Sequence, residues 1–386
     1  MKKVLFVLPS LTVGGMEKMA VTLSNKLTEA GYRVTLLLLD NITDLKDELS
    51  EGVRLICKPY KPHLGNKLPY LRSKFYDDGM WETRAEPAQL YKYYVGDERF
   101  DVEIAFFRGL SVKIVSGSSN ENAVRLAWVH NDFRRVKGFQ NNFKNMREVF
   151  DAYSRFDRVV CVSNEASDGF REVVGDTGNL AVIYNLLPAE RIKALALGEA
   201  FYKIKRAPLH AVVVARLSDR AKGQLRLIGA VSRLRSEGID ISLSIVGGGE
   251  DFEAISRAVR DNRAEDCIEL HGQQRNPYPY IKNADLLVCS SYYEGFNLTV
   301  AEALILGVPV LSTKCTGPCE ILGNGRYGMI VENSAEGLYN GLKQLAENPA
   351  LLAEYREKTK LRQSFFDENK LLRQITDLLE KGESRA

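Results

Sequence analysis

A chain of 386 residues is too long for one ordinary hydrophobic core, so the sequence predicts two domains. An apolar content of 45%, a charged content of 27% and a net charge of only +3 are typical of a globular protein and give no case for nucleic-acid binding. No apolar run approaches the roughly 18 residues of a membrane-spanning helix, and the run after Met1 is too short for a signal peptide, which favours a cytoplasmic protein.

Strands and helices alternate from the start of the chain. A strand is predicted at 3–8, a helix at 17–30 and a second strand at 32–39, which together make a βαβ unit. Gly14 and Gly15 then follow the first strand, at the edge where open parallel sheets bind ligands. Paired glycines let a backbone approach a phosphate or a sugar, although they serve equally well in a simple turn.

The next predicted elements are strands at 53–56, 101–107, 126–132, 157–162 and 182–188, with a helix at 163–174. His130 falls at the end of its strand, on the same predicted edge as Gly14 and Gly15. A lone histidine is more often structural than functional. Beside a phosphate-binding domain, however, His130 would be a good donor to a hydroxyl or phosphate of a substrate.

Two stretches, 58–76 and 133–147, combine basic and aromatic residues. The first has five basic side chains and no acid, and the second has five basic side chains and three phenylalanines. Such stretches favour peripheral contact with an anionic membrane, at about 1 kcal/mol per basic residue near the surface. The alternative is a solvated basic face over ordinary packing.

The composition changes across 189–208, a mixed-charge connector with helical character, and we place the domain boundary there. The βα alternation then restarts. Strands are predicted at 211–215, 241–246, 267–270, 284–289, 308–312 and 327–331, and helices at 225–237, 251–260, 276–283, 298–306, 335–347 and 350–380.

The loops after the first two strands of this half carry charge and glycine. Arg216 and Lys222 flank the end of the strand at 211–215, where a guanidinium fork and an ammonium point charge suit a diphosphate. A solvated basic loop would explain the same two residues. The second loop consists of Gly247, Gly248, Gly249 and Glu250, and it opens the next predicted helix.

The stretch from 290 to 310 gives the most specific pattern. A buried strand runs into a turn at Gly295 and then into a helix whose first amides have no intrahelical partner, and such a helix start binds anions. Glu294 and Glu302 bracket it, and carboxylates accept hydrogen bonds from vicinal hydroxyls. The pair therefore suits a ligand with phosphate in the middle and a sugar at either end. The alternative is a capping box between Thr299 and Glu302.

Five motifs follow one another in a family-specific order. They are Gly-Gly-x-Glu at 14–17, Arg…Lys-Gly at 216–223, Gly-Gly-Gly-Glu at 247–250, Glu-Gly-Phe…Glu-Ala at 294–303 and Gly-x-Pro-Val at 307–310. In this order the chain resembles the retaining glycosyltransferases of family 4 over nearly its whole length. Trp-Val-His-Asn-Asp at 128–132 resembles bacterial members that build surface polysaccharides.

The resemblance implies the α/β GT-B fold, in which two Rossmann-like domains face each other across a cleft. It implies an acceptor-binding domain at 1–188, a nucleotide-sugar-binding domain at 189–365 and a last helix at 366–386 that packs back toward the first domain. It also implies a front-face retaining reaction in which the donor phosphate helps to deprotonate the acceptor, so that no enzyme nucleophile is required.

The resemblance also implies residue roles. Arg216 and Lys222 hold the donor diphosphate, Glu302 the ribose and Glu294 the transferred sugar. Gly14, Gly15 and His130 reach the reacting end. The candidate catalytic residues are therefore His130, Glu294, Arg216 and Lys222, and the other donor-binding candidates are Gly14, Gly15, Gly247, Gly248, Gly249, Glu250, Gly295, Phe296, Asn297, Leu298 and Glu302. Asn297 and Lys314 depart from the usual family pattern.

We expect a UDP-sugar donor, carrying a hexose or an N-acetylhexosamine, and a glycan or lipid-linked glycan acceptor met at the inner face of the cell membrane. No Asp-x-Asp motif is present and the six cysteines are scattered, so we expect free thiols and neither a metal nor another cofactor. The alternatives are a nucleotide-sugar epimerase of the same fold, an NAD-dependent oxidoreductase, for which the Gly-x-Gly-x-x-Gly loop is missing, and a non-catalytic scaffold.

Overall fold

The computed structural model of the protein describes residues 1–59, 79–136 and 138–380. The chain divides into two compact units. The N-terminal unit contains Met1–Leu186 together with Asn369–Ala386, and the C-terminal unit contains Leu187–Glu368. The last described helix therefore belongs to the same unit as the beginning of the chain.

The described strands of the N-terminal unit are β1 (Lys3–Leu8), β2 (Arg33–Leu38), β3 (Arg54–Cys57), β4 (Val102–Ala105), β5 (Val124–Val129), β6 (Arg158–Cys161) and β7 (Leu180–Val182). They form one sheet in the order β3-β2-β1-β4-β5-β6-β7, and every neighbouring pair is parallel. Because both faces of such a sheet are covered, its strands are continuous apolar runs, as the sequence predicts. In β1 every residue after Lys3 is buried.

Helices pack against this sheet. Those described are Gly15–Glu29, Gly79–Arg84, Pro87–Tyr94, Leu110–Ser116, Met146–Tyr153, Asn164–Val173 and the final helix Glu368–Glu380. The final helix buries Leu371, Ile375 and Leu379. Its last residue, Glu380, accepts hydrogen bonds from the hydroxyl of Tyr32 at 2.7 Å and from Lys2 Nζ at 2.6 Å. An apolar stripe and a polar terminus thus fix this helix on the N-terminal unit.

The described strands of the C-terminal unit are β8 (Leu209–Val214), β9 (Ile241–Val246), β10 (Ile268–Gly272), β11 (Leu286–Cys289), β12 (Val310–Thr313) and β13 (Met329–Val331). Their order is β10-β9-β8-β11-β12-β13, again with parallel pairing. The described helices are Ala189–Leu195, Asp219–Lys222, Gln224–Ser236, Phe252–Asp261, Tyr278–Lys282, Leu298–Ile305, Thr316–Ile321, Ala335–Glu347 and Pro349–Arg362. Each unit is therefore a Rossmann-like α/β layer structure.

Two predicted elements differ most from the observed ones. Where a strand is predicted at 182–188, the observed strand is Leu180–Val182, and residues 183–188 have no regular secondary structure. The helix predicted at 350–380 is broken at 363–367 by a 3₁₀ turn that buries Phe366. The break separates a helix of the C-terminal unit from the helix that packs on the N-terminal unit.

The stretch at 133–147 does not form a basic aromatic surface. Its three phenylalanines, Phe133, Phe139 and Phe143, are buried in the core. Arg134 pairs with Asp132 at 2.9 Å, and Lys144 and Arg147 also form ion pairs. The core takes the aromatic rings of this stretch and acids pair with three of its basic side chains, so the stretch adds no support for membrane contact, which stays a prediction.

Residues 60–76 of the other basic stretch lie outside the described residues. In the part of the chain that the structure describes, none of the helices combines the length and the apolar character that a bilayer crossing requires.

Candidate active site

The site candidates of the C-terminal unit follow three neighbouring strands. In the sheet, β8 lies between β9 and β11, and all three are parallel. Their following loops, 215–223, 247–251 and 290–297, therefore lie side by side at the carboxyl edge. The structure thus brings together Arg216, Lys222, the glycine loop, Glu294 and the start of the next helix, which are far apart in sequence.

The glycine loop packs directly on the loop that carries Arg216. A Cβ atom at Gly247 would lie 1.9 Å from the carbonyl oxygen of Ala215, and one at Gly249 would lie 2.3 Å from that of Leu217. No side chain fits at either position. The Gly248 amide donates to Gln273 Oε1 at 3.0 Å. These contacts give the glycines a structural role in holding the neighbouring loop, beside any contact with a nucleotide.

Glu250 extends this support. Its Oε1 accepts a hydrogen bond from Ser218 Oγ at 3.0 Å, within the loop after β8. Two carboxylates nearby also bind backbone amides: Asp251 Oδ2 accepts from the Asp219 amide and Asp219 Oδ1 from the Leu225 amide, both at 2.7 Å. The backbone between Arg216 and Lys222 is thereby fixed from both sides.

Glu294 is the hub of the site. Its Oε1 accepts from Lys222 Nζ at 2.7 Å, from Ser291 Oγ at 2.5 Å and from Asn297 Nδ2 at 2.9 Å. The side chain is only 10% exposed. Its other oxygen, Oε2, accepts from no described residue, so one lone-pair face of the carboxylate is available to a ligand.

The two cations of the site differ in their surroundings. Burial disfavours the ammonium of Lys222, but the charge and hydrogen bond of Glu294 outweigh burial and raise its pKa, so Lys222 stays protonated. The guanidinium of Arg216 is exposed and makes no hydrogen bond or ion pair with the described residues. Arg216 therefore presents five free donors at the carboxyl end of β8.

The helix Leu298–Ile305 begins with Asn297 as its N-cap. Asn297 has a φ of 71°, and its Oδ1 accepts from the Val300 amide at 3.0 Å. The amides of Leu298 and Thr299 reach no described acceptor. A helix start of this kind offers two free N–H donors and the positive end of the helix dipole to an anion.

The capping box proposed for Thr299 and Glu302 is not formed. Thr299 follows the cap, and its Oγ1 donates to the carbonyl oxygen of Val214 at 3.2 Å. Glu302 lies beyond the third helical position that a capping box requires. It is 7% exposed, and its Oε1 accepts from the hydroxyl of Tyr278 at 3.2 Å. Glu302 is thus a buried acceptor near the same helix start.

Sequence reasoning missed the residues that hold this site together. Arg226 donates to the Ser290 carbonyl at 2.6 Å and to Asn333 Oδ1 at 2.7 Å, and its guanidinium lies 3.8 Å from the ring centroid of Tyr292. Gly317 packs on the Glu294 turn, since a Cβ there would lie 2.4 Å from the carbonyl oxygens of Gly295 and Phe296. The Thr-Gly-Pro sequence at 316–318 is the only sequence signal for the second contact.

The remaining candidates lie in the N-terminal unit. Gly14 is the N-cap of helix Gly15–Glu29 with an extended φ of −156°, a conformation that any residue adopts. Neither Gly14 nor Gly15 has a positive φ. What these glycines provide after β1 is therefore the absence of a side chain, not an unusual backbone.

His130 follows β5 and is 8% exposed. Its Nε2 lies 3.0 Å from the carbonyl oxygen of Phe106, to which only an N–H can bind, so Nε2 is the donor. Burial, with a smaller contribution from the nearby charge of Arg108, lowers the pKa of His130 to about 4. Because its one N–H is used by Phe106, the structure does not present His130 as a donor, and its contact with a substrate stays a prediction. Its Nδ1 is instead an acceptor.

The six cysteines form no disulfide. Among the residues that the structure describes, no group of three or more His, Cys, Asp or Glu side chains is arranged to hold a metal ion.

The two parallel sheets, with candidate binding residues at their carboxyl edges, define a protein of two Rossmann-like units. Solved structures with the same fold agree with this class. HepE of Anabaena, solved with UDP-glucose, matches with a TM-score of 0.76 at 17% identity over 98% of this chain and 99% of that one. Sucrose-phosphate synthase of Thermosynechococcus elongatus matches with a TM-score of 0.75 at 19% identity over the whole of both chains. The predicted GT-B fold is confirmed.

Family models then identify the chain. Residues 13–191 match Glycosyltransferase Family 4, and residues 200–362 match Glycosyl transferases group 1. The protein belongs to the glycosyltransferases that these two models describe, as the motifs predict. A relative from Campylobacter jejuni is 24% identical over 97% of this chain and 98% of its own length; it is an N-acetylgalactosamine-N,N'-diacetylbacillosaminyl-diphospho-undecaprenol 4-alpha-N-acetylgalactosaminyltransferase.

Proposed function

We propose that the protein transfers a hexose or N-acetylhexosamine, with retention of configuration, from a UDP-sugar to a glycan or lipid-linked glycan in bacterial surface-polysaccharide synthesis. One observation carries the proposal: the 2.7 Å pair of Lys222 and Glu294 stands at the same sheet edge as the free amides of helix Leu298–Ile305. The name of the Campylobacter jejuni relative, a sugar transferase acting on a diphospho-undecaprenol carrier, supports this acceptor class.

The donor diphosphate binds the cations of the C-terminal unit. Arg216 offers a guanidinium fork, Lys222 a charge held in place by Glu294, and Leu298 and Thr299 two amides. A glycosyltransferase without a bound metal needs such groups, because the leaving nucleoside diphosphate gains negative charge as the glycosidic bond breaks. We therefore propose that the reaction is metal-independent and needs no other cofactor.

The hydroxyl groups of the donor bind the carboxylates. Glu294 Oε2 accepts from a hydroxyl of the transferred sugar, because Oε1 is already filled by three donors. Glu302 accepts from the ribose, and the loop at 247–250 lies beside the nucleotide. Gly295 and Phe296 belong to the turn between Glu294 and the helix that carries Glu302. The carboxylates are assigned to the sugar hydroxyls and the cations to the diphosphate, because carboxylates accept hydrogen bonds from hydroxyls and repel phosphate.

In the transfer step, the bond between the anomeric carbon and the diphosphate oxygen breaks and a bond from that carbon to the acceptor oxygen forms on the same face. The acceptor hydroxyl proton passes to the departing phosphate oxygen. The products are a glycoside and a nucleoside diphosphate, and no covalent enzyme intermediate arises. Lys222 and Arg216 stabilise the charge on the departing oxygens.

The acceptor binds the N-terminal unit. His130 Nδ1 accepts a hydrogen bond from an acceptor hydroxyl, and Gly14 and Gly15 leave room for the sugar ring after β1. A lipid-linked acceptor would place the protein at the inner face of the membrane, in peripheral contact with it. We propose this membrane contact from the class of acceptor and not from the stretch at 133–147, because the aromatic residues of that stretch are buried.

The test is a transfer assay with purified protein, UDP-hexoses and UDP-N-acetylhexosamines, and a prenyl-diphosphate-linked sugar, without added metal. We expect a glycoside whose anomeric proton coupling in NMR shows the configuration of the donor. Lys222→Met should lower kcat by about 10²–10³-fold, as loss of one charge-stabilising donor does. Lys360→Met, at a side chain that is 64% exposed in the same unit, is the matched control.

Three outcomes contradict the proposal. An inverted anomer would exclude the retaining route. Conversion of the UDP-sugar without transfer would indicate an epimerase. Absence of turnover, with Lys222→Met changing only the affinity for a ligand, would indicate a binding scaffold.

A further inference from the structure

Arg108 is a cation that has no hydrogen-bonding or ionic partner in the part of the chain that the structure describes. It follows β4 in the N-terminal unit and is half-buried. Its guanidinium makes no hydrogen bond or ion pair with the described residues. It lies 4.8 Å from the centroid of the Phe107 ring and interacts electrostatically with Tyr153 and His130. Burial lowers the pKa of Arg108, so the protein holds this charge at a cost in free energy.

The position of Arg108 is fixed by its neighbours. Strand β4 lies between β1 and β5, so Arg108 stands at the carboxyl edge between the loop that contains Gly14 and the loop that contains His130. Phe106, two residues earlier, accepts from His130 Nε2, and the two rings are 4.7 Å apart. Gly109, with a φ of 69°, turns the chain directly after Arg108.

His130 offers the complementary group. The imidazole is neutral and its N–H is taken by Phe106, so the remaining Nδ1 accepts a hydrogen bond and cannot donate one. An ionised phosphate has no proton to give and is not bound by Nδ1. A sugar hydroxyl has one. Arg108 and His130 therefore select different groups, an anion and a hydroxyl.

The chemistry of this pair describes a sugar that carries a phosphate. A guanidinium binds two oxygens of a phosphate in parallel, which satisfies donors that the fold leaves open. Two other arginines of the same unit are paired within the protein, Arg134 with Asp132 and Arg54 with Glu98. Arg108 has the surroundings of a residue whose counter-ion arrives with a ligand.

We propose that Arg108 binds the phosphate of a sugar-phosphate or sugar-diphosphate acceptor while His130 Nδ1 accepts a hydrogen bond from a hydroxyl of that acceptor. The inference rests on the proposed function and makes it more specific, since it names the anionic linkage as a recognised part of the acceptor. It assigns Arg108 to acceptor selection and gives it no part in binding the donor.

The experiment compares two synthetic acceptors with the same sugar. One is a sugar 1-diphosphate with a short prenyl chain, and the other is an alkyl glycoside of that sugar without phosphate. The values of kcat/KM for both are measured with the wild-type protein, Arg108→Gln and Arg108→Lys. Arg33→Gln, which removes the same charge at the amino end of β2 on the opposite sheet edge, is the matched control.

We expect Arg108→Gln to lower kcat/KM for the diphosphate acceptor by about 10–100-fold, the usual effect of losing hydrogen bonds to a charged group. The alkyl glycoside should change by less than about twofold, and Arg108→Lys should lie between, because it keeps the charge and loses the fork. UDP binding should be unchanged in every variant. Equal losses on both acceptors, or no loss on either, would overturn the inference.

Two further measurements distinguish a failure of the proposed function from a failure of this inference, and an acceptor phosphate from a lipid headgroup. Calorimetric binding of the diphosphate probe without donor tests Arg108 even where no transfer occurs, so a failure of the proposed function is distinguished from a failure of this inference. Phosphatidylglycerol vesicles without acceptor offer phosphate from a lipid headgroup. Inhibition by these vesicles that depends on Arg108 would assign the residue to the membrane surface and refute its role in acceptor binding.

Discussion

Replacement of His130 by glutamine should make the N-terminal unit less sensitive to acid. The structure holds His130 neutral, with Nε2 donating to Phe106 and its pKa lowered by burial to about 4 from 6.5. A glutamine amide can make the same donation but takes up no proton. The two proteins therefore differ in one titrating group and keep the same hydrogen bond.

The sign and size of the change in stability follow from the linkage between protonation and folding. Below pH 6.5 the unfolded chain protonates its histidine and the folded chain does not, so protons favour unfolding. The stability that His130 contributes is fully present above pH 6.5 and is lost as the pH falls toward 4. The pKa of His130 differs by about 2.5 units between the unfolded and the folded chain, which corresponds to about 3 kcal/mol of unfolding free energy. About 2.5 kcal/mol of this is lost by pH 4.5.

The assay is urea unfolding at pH 7.0 and pH 4.5, followed by tryptophan fluorescence. Both tryptophans, Trp81 and Trp128, lie in the N-terminal unit, so the signal reports that unit. His210, whose pKa burial also lowers to about 4, lies in the C-terminal unit and does not enter this signal. Between the two pH values the wild-type protein should lose about 2.5 kcal/mol more stability than His130→Gln.

Equal losses in the two proteins would refute the reasoning. They would mean that His130 is protonated in the folded state at pH 4.5, and hence that it is not desolvated as the structure shows. A lower stability of His130→Gln at pH 7.0 alone would not bear on the point, since loss of ring packing against Phe106 costs about 0.5–1.5 kcal/mol at every pH.

Two further predictions concern the backbone around the donor site. Gly249→Ala should destabilise the C-terminal unit by about 1–3 kcal/mol and weaken nucleotide binding, because a Cβ there would lie 2.3 Å from the Leu217 carbonyl oxygen. Gly229→Ala, at an open helical position, should stabilise the same unit by about 0.5–1 kcal/mol. Equal melting temperatures of these two variants would contradict the prediction. Asn297→Ala should lower the free energy of unfolding by about 1–2 kcal/mol, because it removes the cap on the Val300 amide and strains the backbone at a φ of 71°. Asn297→Gly should lower it by less, since glycine tolerates this φ. Equal melting temperatures of the two variants would argue against this account of Asn297.

Most of the sheet architecture could be predicted from the sequence because parallel strands are buried on both faces and appear as continuous apolar runs. The strand Ile241–Val246 and the helix Ala335–Glu347 begin and end where the pattern indicates. Short helices such as Leu110–Ser116 were not predicted. Burial on all sides leaves that helix without a 3.6-residue period, so its pattern resembles a strand.

The site was predictable to the extent that its residues follow strands. Arg216, Lys222 and Glu294 meet because β8 and β11 are neighbours in a parallel sheet. Hydrogen-bond direction was not predictable. The use of the only N–H of His130 by Phe106 depends on a contact across 24 positions in sequence, and no local pattern encodes it. The lack of a partner for Arg108 among the described residues likewise appears only in the folded structure.

The most direct test of the account is thermal unfolding and calorimetry of the protein with UDP, GDP, ADP, NAD and their sugar conjugates, without metal. Ligand at about 100 times its Kd should stabilise the wild-type protein by about 2.7 kcal/mol. We predict stabilisation by one nucleoside diphosphate, a Kd raised about 10–100-fold in Lys222→Met and in Glu302→Gln, and no change in Lys360→Met. A response to NAD alone, or equal binding by all three variants, would contradict the assignment of this sheet edge to a nucleotide-sugar.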